Sequence, residues 1–117
     1  MFGLTTTRRK WMKIKSVFYD YEVDFIPNES SDNHGLTDKS KKKIFIEKNI
    51  NPQVQRETLL HEILHVVCED MYFFKDDEKE EEFIRKFSPR LMHILCNSEE
   101  ATNFILGKKI KSKKGKK

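Results

Sequence analysis

Between Met12 and Ile26 apolar and polar positions alternate. Tyr21, Val23 and Phe25 are separated by Glu22 and Asp24, the period-two pattern of a strand with one covered face. Ile14, Val17 and Phe18 precede them and are β-branched or aromatic. Two short strands are therefore expected, near residues 12–18 and 20–26. Pro27-Asn28 opens a polar stretch, Asn28 to Ser40, rich in Ser, Asn, Asp and Gly, which reads as a loop. After the basic run Lys41-Lys42-Lys43 comes a compact third strand, Ile44-Phe45-Ile46.

From Asn51 the period changes to that of a helix. Asn51 suits the N-cap and Pro52 the first helical position, and the helix should run to about Glu69 or Tyr72. Leu60, Ile63, Leu64 and Val67, spaced by three and four, form its expected apolar stripe. A second helix should start at Asp76-Asp77, where the carboxylates of Asp77, Glu78 and Glu80 favour a helix N-terminus. It should bury Ile84, Phe87, Leu91, Ile94 and Leu95, with a kink or break near Lys86 imposed by Pro89. Ser98 would cap a last short helix that Gly107 ends. The expected fold class is α+β: a small antiparallel sheet of short N-terminal strands packed on two main helices.

A chain of 117 residues, 37% hydrophobic, supports one modest core. One domain is expected over residues 1–107, followed by a disordered lysine-rich tail, 108–117. The net charge of +4 changes meaning once it is placed along the chain. Of 23 Lys and Arg, seven lie between Lys108 and Lys117; the other 16 face 19 Asp and Glu, so the body carries −3. The tail has no aromatic residue to stack on bases, so it would give at most a weak, salt-sensitive, nonspecific grip on nucleic acid. No stretch is apolar enough to span a membrane, and the first ten residues do not resemble a secretory signal. The expectation is a cytoplasmic protein in which Cys68 and Cys96 are small buried hydrophobes.

Candidate chemistry lies in the first helix, at His61-Glu62-Ile63-Leu64-His65. Residues four apart share a helix face, about 5–6 Å apart at Cβ, so His61 and His65 can aim two ring nitrogens at one tetrahedral zinc ion (Zn2+). Glu62 lies about 100° round the helix, beside the metal, where a general base can take a proton from water held there. The flanks Leu59-Leu60 and Val66-Val67 are uncharged, as a buried metal-bearing helix requires. A third protein ligand is needed. The metzincin continuation demands a glycine at position 68 and a histidine at 71, and Cys68 and Met71 exclude it. The acidic start of the second helix offers Glu80, Glu81 and Glu82. Glu81 is favoured because it precedes Ile84, Ser88 and Leu91 by three, seven and ten residues, at the edge of the apolar stripe. Cys68 is the outside alternative. His34 could reach over the cleft, His93 stands too far along its helix to share the metal, and Tyr72 could donate to an oxyanion.

The segment Thr58 to Val67, followed by Glu81-Glu82-Phe83-Ile84-Arg85-Lys86-Phe87-Ser88, resembles the ImmA/IrrE-type zinc metallopeptidases, closest to their minimal forms carried by phages and mobile elements. The resemblance covers roughly residues 12–96. It implies a minimal zincin-like fold, Glu81 as third ligand ahead of the apolar Ile84, and cleavage of a protein substrate such as a regulator. It also gives Ile44-Phe45-Ile46 the place of the sheet edge that aligns an extended substrate.

Two functions of different class follow. One is a zinc endopeptidase with Glu62 as base and His61, His65 and Glu81 as ligands. The other is a non-catalytic accessory protein that binds a host factor, its zinc structural or vestigial.

Overall fold

The computed structural model describes residues 12–27 and 34–108. Within it the alternating stretch forms strand β2 (Asp20–Ile26), paired antiparallel with β1 (Met12–Lys15) so that Met12 faces Val23 and Lys15 faces Asp20. The expected first strand stops three residues early. Ser16 and Tyr19 close a turn through backbone and hydroxyl hydrogen bonds, which leaves Val17 and Phe18 in solvent. A second antiparallel hairpin joins β3 (Gly35–Asp38) to β4 (Lys43–Glu47), with Leu36 opposite Phe45. Asp38 holds its turn by accepting hydrogen bonds from Ser40 and Lys41, and these hold its carboxyl below the usual carboxylate range.

The two hairpins meet through β2 and β4, which run parallel with Val23 beside Ile44, and the strand order is β1-β2-β4-β3. The sheet is thus mixed, where an antiparallel one was expected. The most apolar strand of each hairpin takes a central position, where its backbone is paired on both sides. Val23, Ile44 and Ile46 are completely buried there. The polar strands β1 and β3 are left as four-residue edges. β3 lies inside the stretch expected to be a loop, because Gly35 and Asp38 are poor strand formers. Pairing with β4 overrides local propensity.

One sheet face is covered by α1 (Pro52–Met71), and the core comprises Tyr21, Val23, Ile44, Ile46 and Val66, with Met12, Ile14, Phe25 and Leu59 against it. The cap is as expected: Asn51 Oδ1 accepts from the Gln53 N–H at 2.7 Å, and Tyr72 closes the helix in a left-handed conformation. The buried face differs. Glu62, Val66 and Cys68 are the buried residues of α1, whereas Leu60, Ile63 and Leu64 stay half-buried and Val67 is exposed. The α1 face turned to the sheet therefore carries Leu59, Glu62 and Val66, one position round from the expected stripe.

Helix α2 (Asp77–Asn97) begins where the acidic residues foretold, with Asp76 Oδ1 accepting from Glu78 N–H at 2.8 Å. It packs on α1 and on the short α3 (Glu99–Ile105). Pro89 does not break it. The helix runs through, and Arg90 folds its guanidinium back to donate to the Lys86 carbonyl at 2.7 Å, supplying a donor near the interrupted turn. The expected buried row holds only at Ile84. Leu91 is half-buried, and Phe87, Ile94 and Leu95 are exposed, because the packing of α2 on α1, its chief neighbour, buries Glu80, Ile84 and Ser88 instead. Among the described residues no helix is long and apolar enough to cross a membrane. Residues 109–117, the greater part of the expected tail, lie outside the described residues.

Candidate metal centre

The caps at Asn51 and Asp76 fix where α1 and α2 begin. These starts set which side chains meet across the helix pair. His61 and His65, one turn apart, present their rings to the same side with centroids 5.1 Å apart. Across from them stands Glu81, in the second turn of α2. Its Oε1 is 2.9 Å from His65 Nε2, and its Oε2 is 3.2 Å from His61 Nε2. One ligand atom from each residue fits within a span of 4.8 Å, so His61, His65 and Glu81 form a group that could hold a metal ion. The donor set and spacing fit a divalent cation. Tetrahedral ligands at about 2.1 Å from a centre lie about 3.4 Å from one another, close to the separations found here.

Electrostatics agree with a gathered cluster. Burial pushes the Glu81 carboxyl up, but the attraction of His61 and the hydrogen bonds to both histidines outweigh it. The group is held below its ordinary value. Arg85 adds a contact to Glu81 Oε2 at 3.3 Å.

Glu62 is 7% exposed. A carboxylate so deeply set needs a donor, and Thr37 of β3 supplies one: its Oγ1 donates to Glu62 Oε1 at 2.7 Å. The approach of β3 to α1 is very close. A Cβ on Gly35 would lie 2.5 Å from Thr58 Cγ2 and 3.2 Å from Glu62 Cγ, so only glycine fits. The cluster opens into a groove of about 1300 Å³ between β3, α1 and the length of α2; Leu36, Thr37, Glu62, Arg85 and His93 are among the residues that line it.

The alternatives to Glu81 are separated by geometry. Glu80 faces the other side of the His65 ring, with Oε2 2.6 Å from Nδ1. Glu82 is exposed and pairs with Lys86. Cys68 is buried and unbridged, its thiol pushed up by burial and by the charge of Glu80. His34 lines the groove but is tied to Glu47 at 3.1 Å. His93 lines the same groove without joining the cluster, as its distance along the helix predicted. Tyr72, suggested as an oxyanion donor, is 84% exposed at the end of α1 and does not line the groove. Cys96 is exposed, contrary to the expectation of two buried cysteines.

The sheet edge also moves. Ile44-Phe45-Ile46 lies in β4, flanked on both sides, so it is not an edge; the edge beside the groove is β3. Sequence reasoning missed Gly35, Thr37 and Lys39, which hid in the supposed loop. Lys39 Nζ reaches Glu69 Oε1 at 3.0 Å and Glu80 Oε2 at 3.8 Å. Burial works against its charge, but Glu69 and Glu80 prevail and hold the amine above its ordinary value. The inward position of Glu80 was legible: it precedes Ile84 and Ser88 by four and eight residues, and those three are the buried residues of α2.

The chain matches no protein family model, and comparison with curated proteins and with solved structures found no match.

Proposed function

We propose that this protein is a zinc-dependent peptidase of the ImmA/IrrE kind, cutting an extended segment of another protein such as a regulator. The observation that carries the reading is the juxtaposition of His61, His65 and Glu81 with the buried carboxylate of Glu62, all lining one groove. Zinc held by the three ligands would supply a Lewis acid that polarises a peptide carbonyl and makes water acidic near neutral pH. The residues of the chain do the rest. Glu62, steadied by Thr37, accepts a proton as water attacks the carbonyl carbon, and delivers it to the amine nitrogen as the C–N bond breaks. The open edge of β3 offers backbone donors and acceptors along one wall of the groove, and an extended substrate can add there as a further strand.

The test is metal content and proteolysis together. Wild type prepared without added metal should carry about one zinc per chain, and His65→Ala and Glu81→Ala should lose it. Glu62→Gln should keep zinc and lose cleavage of an unfolded protein substrate. Cleavage by Glu62→Gln at the wild-type rate would overturn the mechanism. Metal-free wild type after zinc is supplied would overturn the site.

A second reading is favoured by a separate observation: Phe87, Ile94, Leu95, Phe104, Ile105 and Leu106 expose apolar surface on α2, α3 and the residue that caps α3. A non-catalytic protein that binds a host factor through that surface would bind it equally well as wild type and as Glu62→Gln, and neither would cleave.

A further inference from the structure

Glu80 and Glu81 are neighbours in sequence but meet opposite nitrogens of one ring. Glu81 Oε1 lies 2.9 Å from His65 Nε2, and Glu80 Oε2 lies 2.6 Å from His65 Nδ1. Both carboxylates are acceptors, so a cation that takes the Nε2 lone pair leaves the ring proton on Nδ1, where it donates to Glu80. A neutral imidazole protonated at Nδ1 keeps the Nε2 lone pair free for a cation. The Glu80 contact therefore stabilises the tautomer that can coordinate beside Glu81. It also fixes the plane of the ring, which has only two side-chain torsions to settle.

Glu80 is 4% exposed, and an acid buried that far is tolerated only with charged or hydrogen-bonding partners. Besides His65 it has Lys39, whose Nζ stands 3.8 Å from Glu80 Oε2 and 3.0 Å from Glu69 Oε1. Lys39 follows directly on β3, Glu69 belongs to α1 and Glu80 to α2. One ammonium group thus ties the end of the edge strand to both helices, next to the ligand His65. The burial of Glu80 then has a physical reason that its buried neighbours Ile84 and Ser88 along the helix do not supply.

We propose that Glu80, held by Lys39, is a positioning residue of the metal centre, which sets cation affinity by fixing His65 with its Nε2 lone pair towards Glu81. The proposal rests on the reading of His61, His65 and Glu81 as a metal site. Losing such an outer partner weakens metal binding by about 10- to 100-fold in comparable centres.

The experiment has two readouts on full-length protein. Zinc dissociation constants are measured by competition with a chromophoric chelator for wild type, Glu80→Ala, Glu80→Gln and Lys39→Met. The His65 ring nitrogens are followed by 15N NMR in metal-free wild type and in the same variants, at a pH where the ring is neutral. The expected result is an affinity loss of about 10- to 100-fold in Glu80→Ala. A smaller loss is expected in Glu80→Gln, whose amide oxygen still accepts from Nδ1, and in Lys39→Met. The nitrogen signals should report a larger share of Nδ1–H in wild type and a shift towards Nε2–H in Glu80→Ala. Unchanged nitrogen signals in Glu80→Ala would overturn the proposal, and so would a dissociation constant within about twofold of wild type. Glu80→Gln is nearly isosteric and decides the matter if the alanine variant fails to fold. Wild type that binds no zinc, with the expected nitrogen signals, would overturn the metal reading itself while upholding the hold of Glu80 on His65.

Discussion

The two halves of α2 invert the usual relation between hydropathy and burial. In the first half the buried residues are Glu80, Ile84 and Ser88, and the acid is there because His65 and Lys39 receive it. In the second half Ile94 and Leu95 face solvent. Burial along this helix follows the neighbours available to it. Beside His65 of α1 and Lys39 at the end of β3, charge can be buried because each group meets its opposite. Towards the end of α2 even aliphatic side chains stay exposed, at Ile94 and Leu95. Rules that assign burial from apolar spacing work at Ile84 and fail one turn later.

The comparison can be broken with truncations at matched positions. Ile84→Ala should cost about 2–5 kcal/mol, the range for emptying a fully packed site, whereas Ile94→Ala should change stability by no more than about 0.5 kcal/mol. Denaturant titrations of both variants check this. Equal costs would mean that the second half of α2 is covered in solution, by a partner or a second copy. A smaller effect tests how tightly the ordered side is closed. Gly35→Ala should cost about 1–3 kcal/mol, because the new methyl meets Thr58 Cγ2, and a β-branched side chain in a helix has little freedom to turn away. Combining it with Thr58→Ser, which removes that methyl, should recover most of the loss in thermal melts; no recovery would place the strain elsewhere. The smallest effect is one of pH. The Asp38 carboxyl is held below its ordinary 3.8 by Lys41 and Ser40. Its contribution is therefore fully present above about that pH and lost as the pH falls through the lowered value. Asp38→Asn should lower stability slightly at neutral pH, leave it nearly unchanged near pH 2 and so flatten its acid limb, as read from urea midpoints between pH 2 and 7.

Much of this architecture was legible in the chain, and its failures share one cause. The helix starts at Asn51 and Asp76 were readable because capping is local: a side chain and an N–H two residues on decide it. The strand at Tyr21, Val23 and Phe25 was readable for the same reason. The pair His61 and His65 follows from helix geometry alone, and Glu81 was reached because its place beside Ile84 is again a matter of local spacing. What escaped depends on partners distant in sequence. Strand β3 exists because Ile44 and Phe45 template it. The parallel join of β2 to β4 is chosen by competition for the centre of the sheet. Thr37 acquires meaning only when it arrives at Glu62, 25 residues further on. The α1 stripe was misplaced by one position because the buried face includes Glu62, a residue that any hydropathy pattern assigns to solvent.

Helix α1 carries Val66 in the core immediately after His65 in the cluster, and Leu59 two residues before His61. Any solute captured by the histidines therefore binds a segment that global unfolding must dismantle. By mass action such a solute raises the free energy of unfolding by RT ln(1 + [L]/Kd), about 2.7 kcal/mol at one hundred times Kd. The melting temperature thus serves as a ligand gauge. A thermal scan across a panel of divalent cations would rank their preference for this centre without knowledge of any substrate.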